Sequence, residues 1–286
     1  LLALADNLDL MFAGWEMVGL SSFLLIAFYR ERQSAVRNAL KTYSVYRIAD
    51  IGMLLAACLE TRGQRLGLFV LLAAMGKSAQ FPFSFWVARA MEGPTPSSAL
   101  FYGALSVHAG AYLLIRTFDL WSGVLVVRLC VGGVGLVTAV LCSMFSRVQP
   151  TIKGQIGYAS VTQVGLIFVE IALGLTHLAL LHIVSNALLR CYQLLVSPSV
   201  VAHRLRRQAT AGAARATPVR SLYARLIPEA WWPTLYVFAL SEGYLKELLQ
   251  VTIWVPLRNL GAALLPWRKL LLVVGPLGAA AALLLV

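Results

Sequence analysis

The sequence predicts an all-α fold, a polytopic bundle of transmembrane helices. Composition is the first observation behind this: 59% of the 286 residues are hydrophobic and 13% are charged, about half the ~25% charge of an ordinary soluble domain. The second is a mean hydropathy of +0.78. The third is a series of seven apolar segments, each near the ~20 residues that a helix needs to cross the hydrocarbon core. Disorder and low complexity are excluded, and so is almost any water-soluble fold, whose surface so few charges could not cover. Spans of a β-barrel would read as short alternating segments, which are not seen. A backbone in lipid must satisfy its own hydrogen bonds, so helices remain.

The segments run over residues 8–29, 43–59, 66–86, 97–115, 123–145, 155–175 and 178–201. The third contains Gly76-Lys77-Ser78 and Pro82, and this combination predicts a broken helix, because Gly and Pro interrupt the hydrogen-bond ladder. Pro94-Thr95-Pro96 predicts a stiff break before the fourth span. Three regions follow: a seven-span domain over 1–201, a basic linker over 202–230, and a last part over 231–286. In that last part, Trp231 and Trp232 suit a membrane interface. Residues 240–264 read as an amphipathic interfacial helix that Pro256 kinks or ends, and 270–286 as an eighth span. The chain starts at Leu1 rather than Met and stops inside an apolar run, which reads as a fragment.

Lys and Arg number 24 against 12 Asp and Glu, a net charge of +12. In a soluble protein this would suggest nucleic acid, but no nucleic-acid module has such a composition. Here it reads as positive-inside topology and attraction to anionic headgroups. With the first span running inward, one side receives Arg30, Arg32, Arg37, Lys41, Arg89, Arg147, Lys153 and the Arg-rich stretch 203–225. The other receives Arg62, Arg65, Arg116 and Arg128. The first side is therefore the cytoplasm or matrix. Cys58, Cys130, Cys142 and Cys191 lie in apolar stretches without CxxC spacing, so neither a disulfide framework nor a metal site is indicated. No phosphate loop or nucleophile–base arrangement appears, and no cofactor or metal is expected.

Charges at membrane depth cost about 2.5–3.5 kcal/mol each on insertion scales, so they need partners or a hydrated cavity. The spans hold Glu16, Arg47, Asp50, Lys77, His108, Glu170, His182 and Arg190, with Lys153 at the start of the sixth. Glu16 and Lys77 sit mid-span on different helices and read as a proton-handling pair; a static ion pair is the plainer alternative. Arg47 and Asp50 are three apart on one face and can pair. His182 and Arg190 are two turns apart on one face. His titrates near neutrality and suits a relay. Glu170 stands alone in its apolar surroundings.

These stretches resemble the antiporter-like membrane subunits of respiratory complex I, most closely the chain 5 or subunit L type. The large subunits of Mrp-type cation/proton antiporters and the membrane subunits of inorganic-carbon transporters are similar. The residues that carry the resemblance are Ala5-Asp6-Asn7, Gly14-Trp15-Glu16, Arg32-Gln33-Ser34-Ala35, Tyr46-Arg47-Ile48-Ala49-Asp50 and Gly76-Lys77-Ser78-Ala79-Gln80. Ala90-Met91-Glu92-Gly93-Pro94-Thr95-Pro96, Ile152-Lys153 and Gln163-Val164-Gly165 continue it over 1–201.

The resemblance implies an antiporter-like bundle in a bacterial plasma membrane or mitochondrial inner membrane. It also implies proton translocation within a multi-subunit NADH:quinone oxidoreductase, with the redox cofactors on partner subunits. The family's proton-carrying roles fall on Glu16, Lys77, Lys153 and His182, with Arg47, Asp50, His108 and Arg190 as further candidates. Three positions depart from the family: Tyr102 and Asn186 stand where it has His, and Arg190 where it has Lys. His108 lies six residues beyond Tyr102, which leaves it about 120° away around the helix and ~9 Å along it. A second broken helix with an ionisable residue is not recognisable after 201. A subunit of a cation/proton antiporter or a proton-driven inorganic-carbon transporter is the alternative function, and a structural scaffold the second.

Overall fold

The computed structural model describes residues 2–58, 63–197, 231–256 and 258–262. The chain divides into two units, Leu1–Gly243 and Tyr244–Val286. All regular structure among the described residues is helical. The Arg-rich stretch 203–225 and the expected eighth span over 270–286 lie outside them.

Helix α1 (Leu8–Ile26) starts where the Asn7 side chain accepts from the Leu10 N–H at 2.8 Å, an N-cap that satisfies one orphan donor. Met11, Trp15, Gly19, Ser22 and Ile26 are buried, a three-to-four-residue spacing that forms one helix face. Leu10, Met17, Leu20 and Leu24 are exposed on the others, as lipid-facing positions should be. Helix α2 (Gln33–Cys58) begins ten residues before the expected start of its span. Hydropathy misses that first part because backbone bonding continues through Arg37, Asn38 and Lys41 regardless of what the exposed face carries. Ala35, Ala39, Ala49 and Ala56 are buried on α2 and let its neighbours approach closely.

Helix α3 (Gln64–Lys77) stops at the expected break. Ala79 takes a left-handed conformation with φ 53°. The Gln80 N–H reaches the Met75 carbonyl at 2.8 Å and the Ala79 N–H the Gly76 carbonyl at 3.4 Å. This is a Schellman termination with Ala where Gly is usual. The unwound stretch finds partners for its polar groups. Trp86 donates its indole N–H to the Gly76 carbonyl at 3.0 Å, Gln80 its amide to the Ser78 carbonyl at 2.9 Å, and the Phe81 N–H reaches Thr138 Oγ1 at 2.9 Å. Irregular backbone at membrane depth is tolerated on that condition.

Helix α4 (Trp86–Ala90) is one turn. Glu92 then ties the following loop to α2, accepting from Ser34 Oγ at 2.5 Å and Asn38 Nδ2 at 2.6 Å. Pro94 caps the next helix in extended conformation, with Pro96 in its first turn. That helix, α5 (Thr95–Arg116), is π-helical over Ala99–Leu105. A short α6 (Phe118–Trp121) precedes α7 (Leu125–Val148), α8 (Ile152–Ala172) and α9 (Thr176–Val196). α7 and α8 touch backbone to backbone: a Cβ on Gly165 would lie 2.6 Å from the Gly135 carbonyl oxygen, so both positions require glycine.

Helix α10 (Trp232–Leu240) belongs to the first unit. Its Trp231 neighbour is exposed. After it the backbone turns left-handed at Glu242, Gly243 and Tyr244. In the second unit, α11 (Leu245–Leu249) runs into a π-helical stretch, Gln250–Trp254, before Pro256. Proline lacks the N–H that would close the next turn. Helical turns are also found at 258–262.

Five helices among the described residues are long and apolar enough to cross a membrane: α1, α5, α7, α8 and α9. Two of the seven expected spans fall short, α2 through its charges and α3 through its break. These two carry Arg47, Asp50 and Lys77.

Candidate functional site

Lys77 is fully buried at the end of α3. Its ammonium Nζ lies 3.5 Å from Asp50 Oδ1 on α2. Beneath and beside it are the rings of Tyr46, 4.6 Å to the centroid, and Trp15, 5.1 Å. Aromatic faces attract a desolvated cation by about 2 kcal/mol. Nζ has no hydrogen-bond partner among the described residues. Gly19 leaves it room, since a Cβ there would sit 2.8 Å from Nζ.

Asp50 connects Lys77 to the rest of the cluster. Its Oδ1 accepts the Trp15 indole N–H at 2.6 Å. Its Oδ2 lies 3.7 Å from the Arg47 guanidinium, which also forms an ion pair with Glu16 of α1. The four charges run in a row, Glu16–Arg47–Asp50–Lys77, from a half-exposed edge to the core. Glu16 and Lys77 therefore do not pair directly, as the sequence had suggested. Arg47 and Asp50 of α2 stand between the two charges, and Lys77 meets α1 at Trp15 and Gly19 instead. A buried hydroxyl group adjoins the row. Ser22 Oγ is 2.7 Å from Tyr102 OH and 3.3 Å from Tyr46 OH, which is 3.4 Å from Ser106 Oγ.

A second cluster joins α8, α9 and α5. His182 Nδ1 lies 2.8 Å from Glu170 Oε1, and its Nε2 lies 3.1 Å from Gln163 Oε1. With acceptors at both nitrogens, an imidazolium donates twice, while a neutral ring needs either the Gln163 amide turned round or a protonated Glu170. Glu170, isolated in the sequence, is the carboxylate partner of His182. Arg190 donates to Asn186 Oδ1 at 3.1 Å, to Gln193 Oε1 at 2.7 Å and to the Ala159 carbonyl at 3.3 Å. Asn186 Nδ2 is 3.0 Å from His108 Nε2. Tyr102 and His108 thus face different walls, Tyr102 towards α1 and α2, His108 towards α9.

Lys153 joins neither cluster. It is half-buried at the start of α8, and its Nζ contacts the Gly93 carbonyl at 3.3 Å. A third charged contact, Arg89–Glu242 at 2.8 Å, links α4 to the end of α10. Glu242 opens the three left-handed residues that follow α10. Trp15, Tyr46 and Ser22 are site residues that the structure adds, and Trp15 and Tyr46 each adjoin a charge in the sequence.

The chain matches the family model described as NADH:quinone oxidoreductase/Mrp antiporter, TM, over residues 5–62 and 60–226. It is 36% identical over 226 residues to NADH-quinone oxidoreductase subunit L of Escherichia coli (strain K12), covering 70% of this chain and 36% of that protein. It is 37% identical over 221 residues to NADH-ubiquinone oxidoreductase chain 5 of Dugong dugon, with 70% and 36% covered. The chain thus spans about a third of the length of these relatives. Among solved structures, the Mrp complex from Dietzia sp. DQ12-45-1b matches 79% of this chain and 27% of that one, with TM-score 0.64 and 27% identity. The match to the family model extends over all the helices that build both clusters, and the chain belongs to the NADH:quinone oxidoreductase/Mrp antiporter transmembrane family.

Proposed function

We propose that this chain moves protons across a membrane as one subunit of an NADH:quinone oxidoreductase-like assembly. The observation that carries the reading is the fully buried Lys77 ammonium, with no hydrogen-bond partner among the described residues and a carboxylate at 3.5 Å. Such a group is expensive to keep in a membrane helix and is characteristic of ion pathways. The row from Glu16 to Lys77 gives a proton alternating acceptors and donors. Movement of one charge changes the field on the next, so a conformational signal at Glu16 is felt at Lys77. The hydroxyls of Tyr46, Ser22, Tyr102 and Ser106 offer hydrogen-bonded steps beside it, and His182 with Glu170 supplies a titratable pair on α8 and α9. The partners would be other membrane subunits, and redox chemistry would be theirs.

The test is proton uptake into vesicles holding the complete assembly. Glu16→Gln and Lys77→Ala should each remove most of it while the subunit still inserts. Normal uptake with either variant would end the reading. The similarity to an Mrp complex favours cation/proton exchange as the second reading. Proton movement that requires a Na⁺ or K⁺ gradient and no quinone reductant would select it.

A further inference from the structure

We propose that Arg190 and Asn186 form a lock that holds His108 neutral with its hydrogen on Nδ1, and that His108 takes a second proton at Nε2 only when Arg190 lets Asn186 turn. The inference deepens the proton-translocation reading and rests on it for its purpose. Its chemistry follows from hydrogen-bond direction alone.

A guanidinium can only donate. Arg190 Nε therefore donates to the oxygen that faces it at 3.1 Å, which makes that atom Oδ1 of Asn186. The other end of the amide, Nδ2, then faces His108 Nε2 at 3.0 Å, so Nε2 accepts. His108 Nδ1 lies 2.8 Å from the Ala104 carbonyl, which can only accept, so Nδ1 carries the hydrogen. Every bond from Arg190 to Ala104 points the same way. A proton added at Nε2 would set two donors against each other. Turning the Asn186 amide removes that conflict but brings Nδ2 against the guanidinium. Only displacement of Arg190 relieves both. The terminal nitrogens of Arg190 are held by Gln193 and the Ala159 carbonyl, so the fork can pivot on these while releasing Asn186.

The position gives the lock something to control. Arg190 lines a cavity of about 580 Å³ with Arg147, Gln155, Tyr192, Gln193 and Ser197. His108 lines another of about 520 Å³ with Gly14, Met17, Val18, Tyr112 and Ile183. Asn186 is buried and bonds to both residues. His108 is no through-relay, because its Nδ1 hydrogen rests on a main-chain carbonyl that cannot pass a proton on. It is a switchable charge: a proton from water binds Nε2 and leaves from Nε2, giving and then removing an imidazolium. The charged and titratable groups around it are Arg190 and His182 of α9 and Tyr112 of its own helix. Glu170 of α8 is turned to His182 and Lys77 of α3 to Asp50. The cavity wall from α1 brings no charge. Arg190 and Asn186 are positioning residues.

The experiment is ¹⁵N NMR of the full chain in lipid bilayers at neutral pH, labelled at histidine, with the His108 signals assigned by their loss in His108→Phe. The wild type should show a protonated Nδ1 and an unprotonated Nε2. Asn186→Asp places an acceptor against Nε2 while Arg190 keeps its charge, and should shift His108 to imidazolium. Arg190→Gln should free the amide and shift it in the same direction. A wild-type ring protonated on Nε2, or a ring unchanged in Asn186→Asp, would overturn the proposal. If Arg190→Gln fails to fold, Asn186→Asp decides alone. The spectra do not depend on transport. A δ-protonated wild type that shifts in Asn186→Asp, in a chain that moves no protons, would overturn the transport reading and leave the lock standing.

Discussion

Lys77 and Asp50 meet with 3.5 Å between Nζ and Oδ1, the ammonium fully buried and without another polar contact among the described residues. The carboxylate therefore supplies the ion-pair partner, and Trp15 and Tyr46 supply only ring faces. Removing one member of a buried pair leaves an uncompensated charge and costs about 3–5 kcal/mol. Asp50→Asn should destabilise the subunit by that order and remove proton uptake. Combining it with Lys77→Met should restore most of the stability and none of the uptake. Denaturation in a detergent series, read beside vesicle uptake, checks both halves.

Gly19 gives a second test of the same site without touching a charge. Gly19→Ala puts a methyl 2.8 Å from the resting place of Nζ. Helix propensity favours Ala over Gly by about 1 kcal/mol, so the helix itself is not weakened. Misplacing a reacting group by this much commonly costs tenfold or more in rate. Proton uptake should fall by about tenfold with normal insertion. Gly133→Ala on α7, where a Cβ meets nothing within 4 Å, is the control and should leave uptake unchanged.

His182 and Glu170 should behave as a unit. A double-mutant cycle with His182→Phe and Glu170→Gln is expected to give a coupling of about 1–2 kcal/mol in stability. Additive effects would mean that the 2.8 Å contact carries no energy.

Arg89 and Glu242 join segments 153 residues apart in the sequence. Their side chains are largely buried, 23% and 13% exposed. Arg89→Ala and Glu242→Ala should each cost about 1–3 kcal/mol. The exchanged pair, Arg89→Glu with Glu242→Arg, should recover part of the loss, as measured by thermal denaturation.

Topology can be read with single cysteines in a chain freed of its own four. By the placement of basic residues, Glu31→Cys should be labelled only from the cytoplasmic or matrix side of sealed vesicles. Gly123→Cys should be labelled only from the other side. Both positions are exposed. The reverse pattern would invert the orientation.

The sequence makes the class, most span positions and the broken helix legible. These depend on local quantities: hydropathy over ~20 residues, and Gly and Pro within a turn. It also marked Glu16, Arg47, Asp50, Lys77, His108, His182 and Arg190 as misfits in apolar surroundings. It misjudged the start of α2, because helix bonding does not end where hydropathy falls. Tertiary structure alone decided which charges meet. Glu16 reaches Lys77 only through Arg47 and Asp50, and Glu170 finds His182 across a turn between antiparallel helices. Lys153 ends on a main-chain carbonyl, and Glu242 ends on Arg89. Pairing of this kind depends on interhelical rotation and depth, which are set by close approach at small residues such as Gly135 and Gly165 and by the turn at Ala79. A charge shows in the sequence because it is costly in lipid, whereas its partner is chosen by packing between helices distant in the chain.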